Sequence, residues 1–486
     1  MGDMEHTNTW KTYSKKQLKE CEEFSQDYRN FLDNGKTERE CVDTIVNEIE
    51  KHGYVEMEKL AAEGKTLTCG DKVYSVWMNK SIVLYQVGER PIEEGMNILG
   101  AHIDSPRLDV KQNPLYEDGG FAYLDTHYYG GIKKYQWVAL PLALHGVVIK
   151  KDGTTILVNI GDKEDDPVLF ISDLLVHLSQ EQLEKKAAKV IEGEALDLII
   201  GNRPYLEDTD KNKDADKKEK DKDTEKEDAQ EKDAVKKSIL ALLKEYYDME
   251  EEDFISAELE IVPAGKAREA GIDRSMVMAY GQDDRVCAFA SYRAMLELSN
   301  VKRTACCILV DKEEIGSVGA TGMQSKFFEN SVAELMALCG TYSELALRRC
   351  LAHCDMLSSD VSSAYDPSYA GSFDKKNVAF LGDGMVFNKF TGARGKSGSN
   401  DANAEYIAHI RDIFEREKVN LQTAELGKVD LGGGGTIAYI LALYGMNVID
   451  CGVPVLNMHA PWEVTSKADL YEMKRGYVAF LENAEL

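Results

Sequence analysis

The seven-residue apolar run Thr304-Ala-Cys-Cys-Ile-Leu-Val310 is too short for a buried helix, and its β-branched ends suit a buried strand. Just beyond it stand two adjacent glutamates, Glu313 and Glu314, followed by Gly316. Neighbouring carboxylates repel, so a strand that leaves the core at such a pair either opens into a solvated loop or delivers both acids to a cation. With a cation, the two can divide the work, one holding metal and the other moving a proton. The pair alone favours the loop. The choice turns on whether other strands end in the same way.

They do. The run Met96-Asn-Ile-Leu-Gly-Ala101 leads directly into His102-Ile-Asp104. Asp283-Asp284-Arg285 precedes a helical segment, Asp360 follows Met356-Leu-Ser-Ser, and His459 follows Pro454-Val-Leu-Asn-Met. Acids at helix starts are common for capping and dipole reasons, so each position taken singly is weak. Together, five segments bring hard or imidazole ligands to strand ends, and in an open α/β sheet such ends gather at one rim. Two divalent cations carry four positive charges, which three carboxylates and a hydroxide balance while two histidines bind neutral. The spacing therefore points to a two-metal site with one further carboxylate free to act as base.

The order of elements fits a sheet with helices on both faces, interrupted once. Thr37-Glu38-Arg39-Glu40 is a capping box opening a helix that runs to Gly53. Strands are expected over 73–77, 81–86 and 96–101. From about 107 the texture changes to glycine, tyrosine and β-branched residues, with Asp152-Gly153 at the turn of a hairpin and a strand near 258–262. After about 270 the αβ alternation resumes. Helices are expected from Asp283 onward, over 331–348, over 400–417 and after Gly432-Gly-Gly-Gly435. Residues 1–106 and 270–486 are thus expected to form one discontinuous domain, and 107–269 an inserted all-β domain.

The chain has 486 residues, 43% hydrophobic, enough for two cores. A formal charge of -27 argues against nucleic-acid or anionic-membrane partners. Part of the charge is local, because residues 206–236 are almost all Asp, Glu, Lys, Asn and Ala and read as a solvated insertion. Ten cysteines show no CxxC pair, and several lie inside apolar runs, as expected of buried thiols in a reducing, cytoplasmic compartment. No secretory or membrane-spanning segment stands out. Gly395-Lys396-Ser397 ends like a phosphate loop, but Phe390 occupies the place of its first glycine.

The segments Gly100-Ala-His102-Ile-Asp104-Ser-Pro106-Arg107, Gly281-Gln-Asp283-Asp284-Arg285, Glu313-Glu314-Ile-Gly316 and Met458-His459 resemble, in order, those of the aspartyl aminopeptidase family of dinuclear-zinc exopeptidases. The resemblance covers nearly the whole chain. It implies a mixed central sheet of the zinc-exopeptidase kind, with the inserted β domain serving oligomerisation. Two divalent ions are implied, zinc with manganese or cobalt as alternatives. Asp283 would bridge them, with His102 and Asp360 completing one site and Glu314 and His459 the other. Glu313 would be the general base, and Asp104 would hold His102 in its metal-binding tautomer. His177, in Leu174-Leu-Val-His177-Leu178, matches a histidine that reaches a neighbouring subunit's site and stabilises the oxyanion. The assembly implied is a homododecamer built from dimers, and the substrate a peptide losing its N-terminal residue. An acidic residue there would call for a basic partner, for which Lys389, Arg394 and Lys396 are candidates, although Asn388 stands where a lysine is expected. A dinuclear-metal amidase acting on a small metabolite and a non-catalytic scaffold particle are the alternative readings.

Overall fold

In the computed structural model, residues 8–205 and 233–485 are described, so most of the charged stretch at 206–236 lies outside the described residues. The chain divides into two compact units, one made of residues 1–106 and 266–486 and the other of residues 107–265.

The first unit is built on a nine-stranded mixed sheet. Its order is Val55–Glu56, Lys72–Trp77, Ser81–Gln86, Thr304–Val310, Met96–His102, Asp355–Ser359, Asn447–Gly452, Met385–Asn388 and Leu421–Thr423. The four strands from Thr304–Val310 to Asn447–Gly452 pair in parallel. Three of them are buried along their whole length, and Asn447–Gly452 in all but its first residue, which fits the near-continuous apolar runs of Thr304–Val310 and Met96–His102. Their register aligns Val310 with His102 and Ser358 with Gly100, so the residues just beyond these strands emerge at one level. A second, five-stranded sheet (Arg268–Ala270, Met276–Ala279, Glu463–Ser466, Pro454–Leu456, Ser362–Ser363) brings the 454–466 hairpin beside that rim.

One face of the large sheet is covered by the helices Lys15–Asn34, Gln282–Glu297 and Lys467–Asn483, whose core includes Phe24, Tyr28, Phe31, Phe289 and Tyr292. The helix Gln282–Glu297 is buried on nearly every side, so it shows no polar stripe in the sequence. Thr37 closes its capping box as expected, its hydroxyl accepting from the Glu40 N–H while the Glu40 carboxylate accepts from the Thr37 N–H.

The expected helix over 331–348 is two helices, Phe327–Leu338 and Glu344–Ala352. Gly340 takes φ +69° between them, and the Ser343 hydroxyl caps the second by accepting from the Ala346 N–H. The tetraglycine does not open a helix directly, because the five-residue helix there begins at Ala438. The second unit is a six-stranded antiparallel sheet, ordered Thr155–Ile160, Leu142–Ile149, Ala257–Pro263, Arg107–Asp118, Phe121–Tyr129 and Leu198–Gly201. It is not all-β as expected, because the helix Ala234–Tyr247, whose first N–H groups donate to Glu117, belongs to it as well. Its Asp152-Gly153 turn is where the sequence puts it, with Gly153 at φ +88°.

Candidate metal centre

Four strand ends and one helix start converge. His102 is the last residue of its strand and is 1% exposed. Its Nδ1 lies 3.0 Å from the Asp104 carbonyl oxygen and 3.2 Å from the Asp104 carboxylate. That places the ring proton on Nδ1 and turns the Nε2 lone pair toward the acids. Nε2 lies 3.3 Å from Asp283 Oδ1, and 3.9 Å from both Glu313 Oε2 and Asp360 Oδ1. The other oxygen of Asp283 lies 3.2 Å from His459 Nε2, which is in turn 3.5 Å from Glu314 Oε1. Asp283 thus faces one imidazole with each oxygen, the disposition of a carboxylate shared between two ions.

Asp104 does more than hold the imidazole. Its two carboxylate oxygens accept from the backbone N–H groups of Glu313 and Glu314, both at 3.1 Å. It thereby fastens the turn after one strand to the end of its neighbour. Glu463 is a residue that the sequence reading missed. It is buried, and its carboxylate accepts from the N–H of Asp283 at 2.9 Å and of His459 at 2.7 Å, orienting two candidate ligands from behind. Its signal, a glutamate four residues after His459, is visible only once the 454–466 hairpin is known. Asp284 was also understated: its carboxylate, with His102 and Asp360, forms a second close ligand group beside that of His102, Asp283 and Glu314.

The charge balance of the cluster is what a metal would relieve. Burial, reinforced by Asp104 and Asp283, pushes the Glu313 carboxyl up to about 7. Burial and the Asp283 charge raise Glu314, and burial and the Asp284 charge raise Asp360. Asp283 alone is held low: burial works against it, but the adjacent imidazoles of His102 and His459 outweigh that cost. Buried His102 Nε2 and Glu314 Oε1 have no hydrogen-bond partner, an expensive state that coordination to a cation resolves. Imidazole nitrogen with carboxylate oxygen is a donor set that zinc accepts.

The centre opens onto a cavity of about 580 Å³ whose lining includes Ser362, Asn388, Leu426, the glycines 433–435, Thr436 and Met458. Lys389, Arg394 and Lys396 do not line it, contrary to their candidacy as substrate-binding residues. Lys389 directly follows the strand Met385–Asn388, and strand alternation turns it outward where Asn388 turns in. Lys396 is exposed and pairs instead with Asp401 at 3.0 Å, over the Phe390 ring. His177 lies in the second unit, exposed, in the short turn Val176–Leu178.

Comparison with known proteins decides the family. Residues 31–481 match the model of the aminopeptidase I zinc metalloprotease (M18) family. The chain belongs to that family. It is 60% identical over 479 residues to a probable M18 family aminopeptidase 1 of Clostridium acetobutylicum, covering 99% of this chain and 98% of that one. The crystal structure of an M18 aminopeptidase from Thermotoga maritima, 42% identical, superposes with a TM-score of 0.89 over 99% of this chain and all of that one. A structure of the S. cerevisiae mApe1 dodecamer, 19% identical with a TM-score of 0.71 over 94% and 95% of the two chains, shares the fold. The protein is accordingly a zinc metallopeptidase of the aminopeptidase class, hydrolysing peptides.

Proposed function

We propose that the rim holds two divalent metal ions, probed first as zinc, and that the protein removes the N-terminal residue of peptides there. The observation that carries this reading is Asp283, with one oxygen 3.3 Å from His102 Nε2 and the other 3.2 Å from His459 Nε2. His102 and Asp360 would hold one ion, His459 and Glu314 the other, and Asp283 would serve both. Manganese or cobalt suits the same donors. Zinc bound at these residues supplies Lewis acidity for the scissile carbonyl and lowers the pKa of water.

Glu313 reaches the same space without being needed as a ligand. It takes the proton of the attacking water and returns it to the departing amine. A carboxyl near 7 is poised for transfer in both directions at neutral pH. Asp104 fixes the His102 tautomer and the Glu313-Glu314 turn together. The substrate's free amine is drawn to the carboxylates around the ions.

The segment from Leu174 to Leu178 supports an assembly role for the inserted β unit. Four of its side chains, Leu174, Leu175, Val176 and Leu178, are large, apolar and 47–71% exposed, a patch suited to a second copy. In this reading His177 serves a neighbouring subunit's oxyanion, and the assembly is built from dimers into a dodecamer, the state named for the S. cerevisiae structure. The cytoplasm is the compartment that suits ten free thiols, eight of them buried. Among the described residues no helix is long and apolar enough to cross a membrane.

Two metal equivalents per chain by elemental analysis, falling to one or none in Asp283→Asn, is the expected result. One equivalent in the active wild type would overturn the two-ion reading. An active monomer would remove the role of His177.

A further inference from the structure

We infer that Asp450, behind the wall of the cavity, makes this enzyme discriminate against acidic N-terminal side chains. The inference rests on the aminopeptidase reading and concerns which substrates it accepts.

The argument starts from donors and acceptors. Among the described residues that line the cavity there is no lysine or arginine to meet a substrate carboxylate. Two polar side chains of the wall, Asn388 and Thr436, spend their donors away from the cavity, while the hydroxyls of Ser317, Ser362, Thr391 and Tyr439 complete its polar lining. Asn388 spends its amide N–H groups elsewhere, donating Nδ2 to the Ala424 carbonyl at 2.9 Å and to Ser362 Oγ at 3.4 Å. What remains for the cavity is its carbonyl oxygen, an acceptor. Thr436 likewise turns its hydroxyl proton away, donating to Asp450 Oδ1 at 2.5 Å, while its oxygen already accepts from the Ala438 N–H at 3.3 Å.

Asp450 imposes that orientation. It stands on the strand Asn447–Gly452, directly opposite Asn388 in the antiparallel register, and is 2% exposed. Its second oxygen, Oδ2, is buried without a hydrogen-bond partner, and no ion pair among the described residues includes it. A carboxylate accepts only, so Thr436 must donate to it. Two lining groups that could have donated to a substrate carboxylate therefore do not, and behind them lies a buried acid whose carboxyl burial pushes up to about 7, so that it carries its negative charge increasingly above neutrality. The backbone N–H groups of Gly433 and Gly435 have no acceptor among the described residues. They suit the main-chain carbonyls that every peptide carries. On the side of Asn388 and Thr436 a substrate glutamate would be desolvated against acceptors, whereas its amide isostere glutamine brings donors to the same atoms.

The test compares isosteres that differ only in charge. N-terminal Gln and Glu p-nitroanilides are assayed with the zinc-loaded wild type, Asp450→Asn and Asp450→Ser, each with its thermal midpoint measured. The wild type is expected to prefer Gln to Glu at least tenfold in kcat/KM. In Asp450→Asn the new amide can donate to Thr436, freeing the hydroxyl proton for the cavity, and the Gln/Glu ratio should fall severalfold with Gln turnover retained. Asp450→Ser is expected to narrow the ratio as well, since it removes the acid without relying on amide geometry. A wild type that cleaves Glu as readily as Gln overturns the inference and leaves the aminopeptidase reading intact. So does a folded variant with an unchanged ratio. No turnover of any N-terminal residue overturns the reading and the inference together.

Discussion

Stripping the metal should make this protein less stable as the pH rises, the reverse of the usual acid denaturation. Glu313 is the group with a usable magnitude. Its carboxyl titrates near 7 in the metal-free fold, against an ordinary 4.5, and its side chain is 15% exposed. A carboxyl raised in the folded state binds its proton more tightly there than in the unfolded chain. Its stabilisation is therefore complete below about pH 4.5 and is lost as the pH climbs through 7. The shift corresponds to about 3 kcal/mol at roughly 1.4 kcal/mol per pKa unit. Glu314 and Asp360 are raised too and act in the same direction. Asp283 is depressed, so its contribution disappears only at strongly acid pH, outside this window. By calorimetry at fixed ionic strength, chelator-treated protein should melt about 5 °C lower or more at pH 8 than at pH 5. Zinc should restore more stability at pH 8 than at pH 5, because it replaces the protons. A metal-free melting point that is flat or rising between pH 5 and 8, with an equal zinc increment at both, would refute the electrostatic account of this cluster.

Glu313→Gln should keep its metal and its fold while kcat falls by about 10²–10⁴, with little change in KM; metal content measured alongside separates this from loss of the site. Glu463→Ala leaves two ligand backbones unclasped and should weaken zinc binding by roughly 10–100-fold in a competition titration with a chromophoric chelator. Gly452→Ala drives a Cβ into the Asp360 carbonyl oxygen, so the variant should lose several kcal/mol in denaturant unfolding and bind metal poorly. Arg303→Leu strands the buried Asp355 carboxylate, which Arg303 meets at 2.5 Å, and should cost about 3–5 kcal/mol by the same measurement.

The residues proposed as ligands were legible because most of them are announced locally: a short apolar run, then a residue type with no reason to end it. Parallel strands buried along both faces make such runs conspicuous, and the fold does the remaining work of lining up their ends. The partners that hold those ligands were harder to see. Glu463 acts on residues four and 180 positions away, and nothing in its neighbourhood distinguishes it from a strand glutamate. Asp284 stayed outside the expected set because the resemblance implies only the first acid of the pair as a ligand, whereas the irregular backbone at Asp283 and Asp284 brings both inward. The cavity wall misled in another way. Lys389 is one residue from the lining position, and on a strand one residue is the difference between facing a substrate and facing water.

The division of the first unit into residues 1–106 and 266–486 sets an order of events during synthesis. His102 and Asp104 leave the ribosome before any part of the inserted unit, and His459 only after nearly all of the chain has been made. Until then the early strands carry an unmatched imidazole and the later ones a growing set of unneutralised acids. On the proposed ligand set, the centre is complete only once His459, from the second of the two segments, joins His102 from the first.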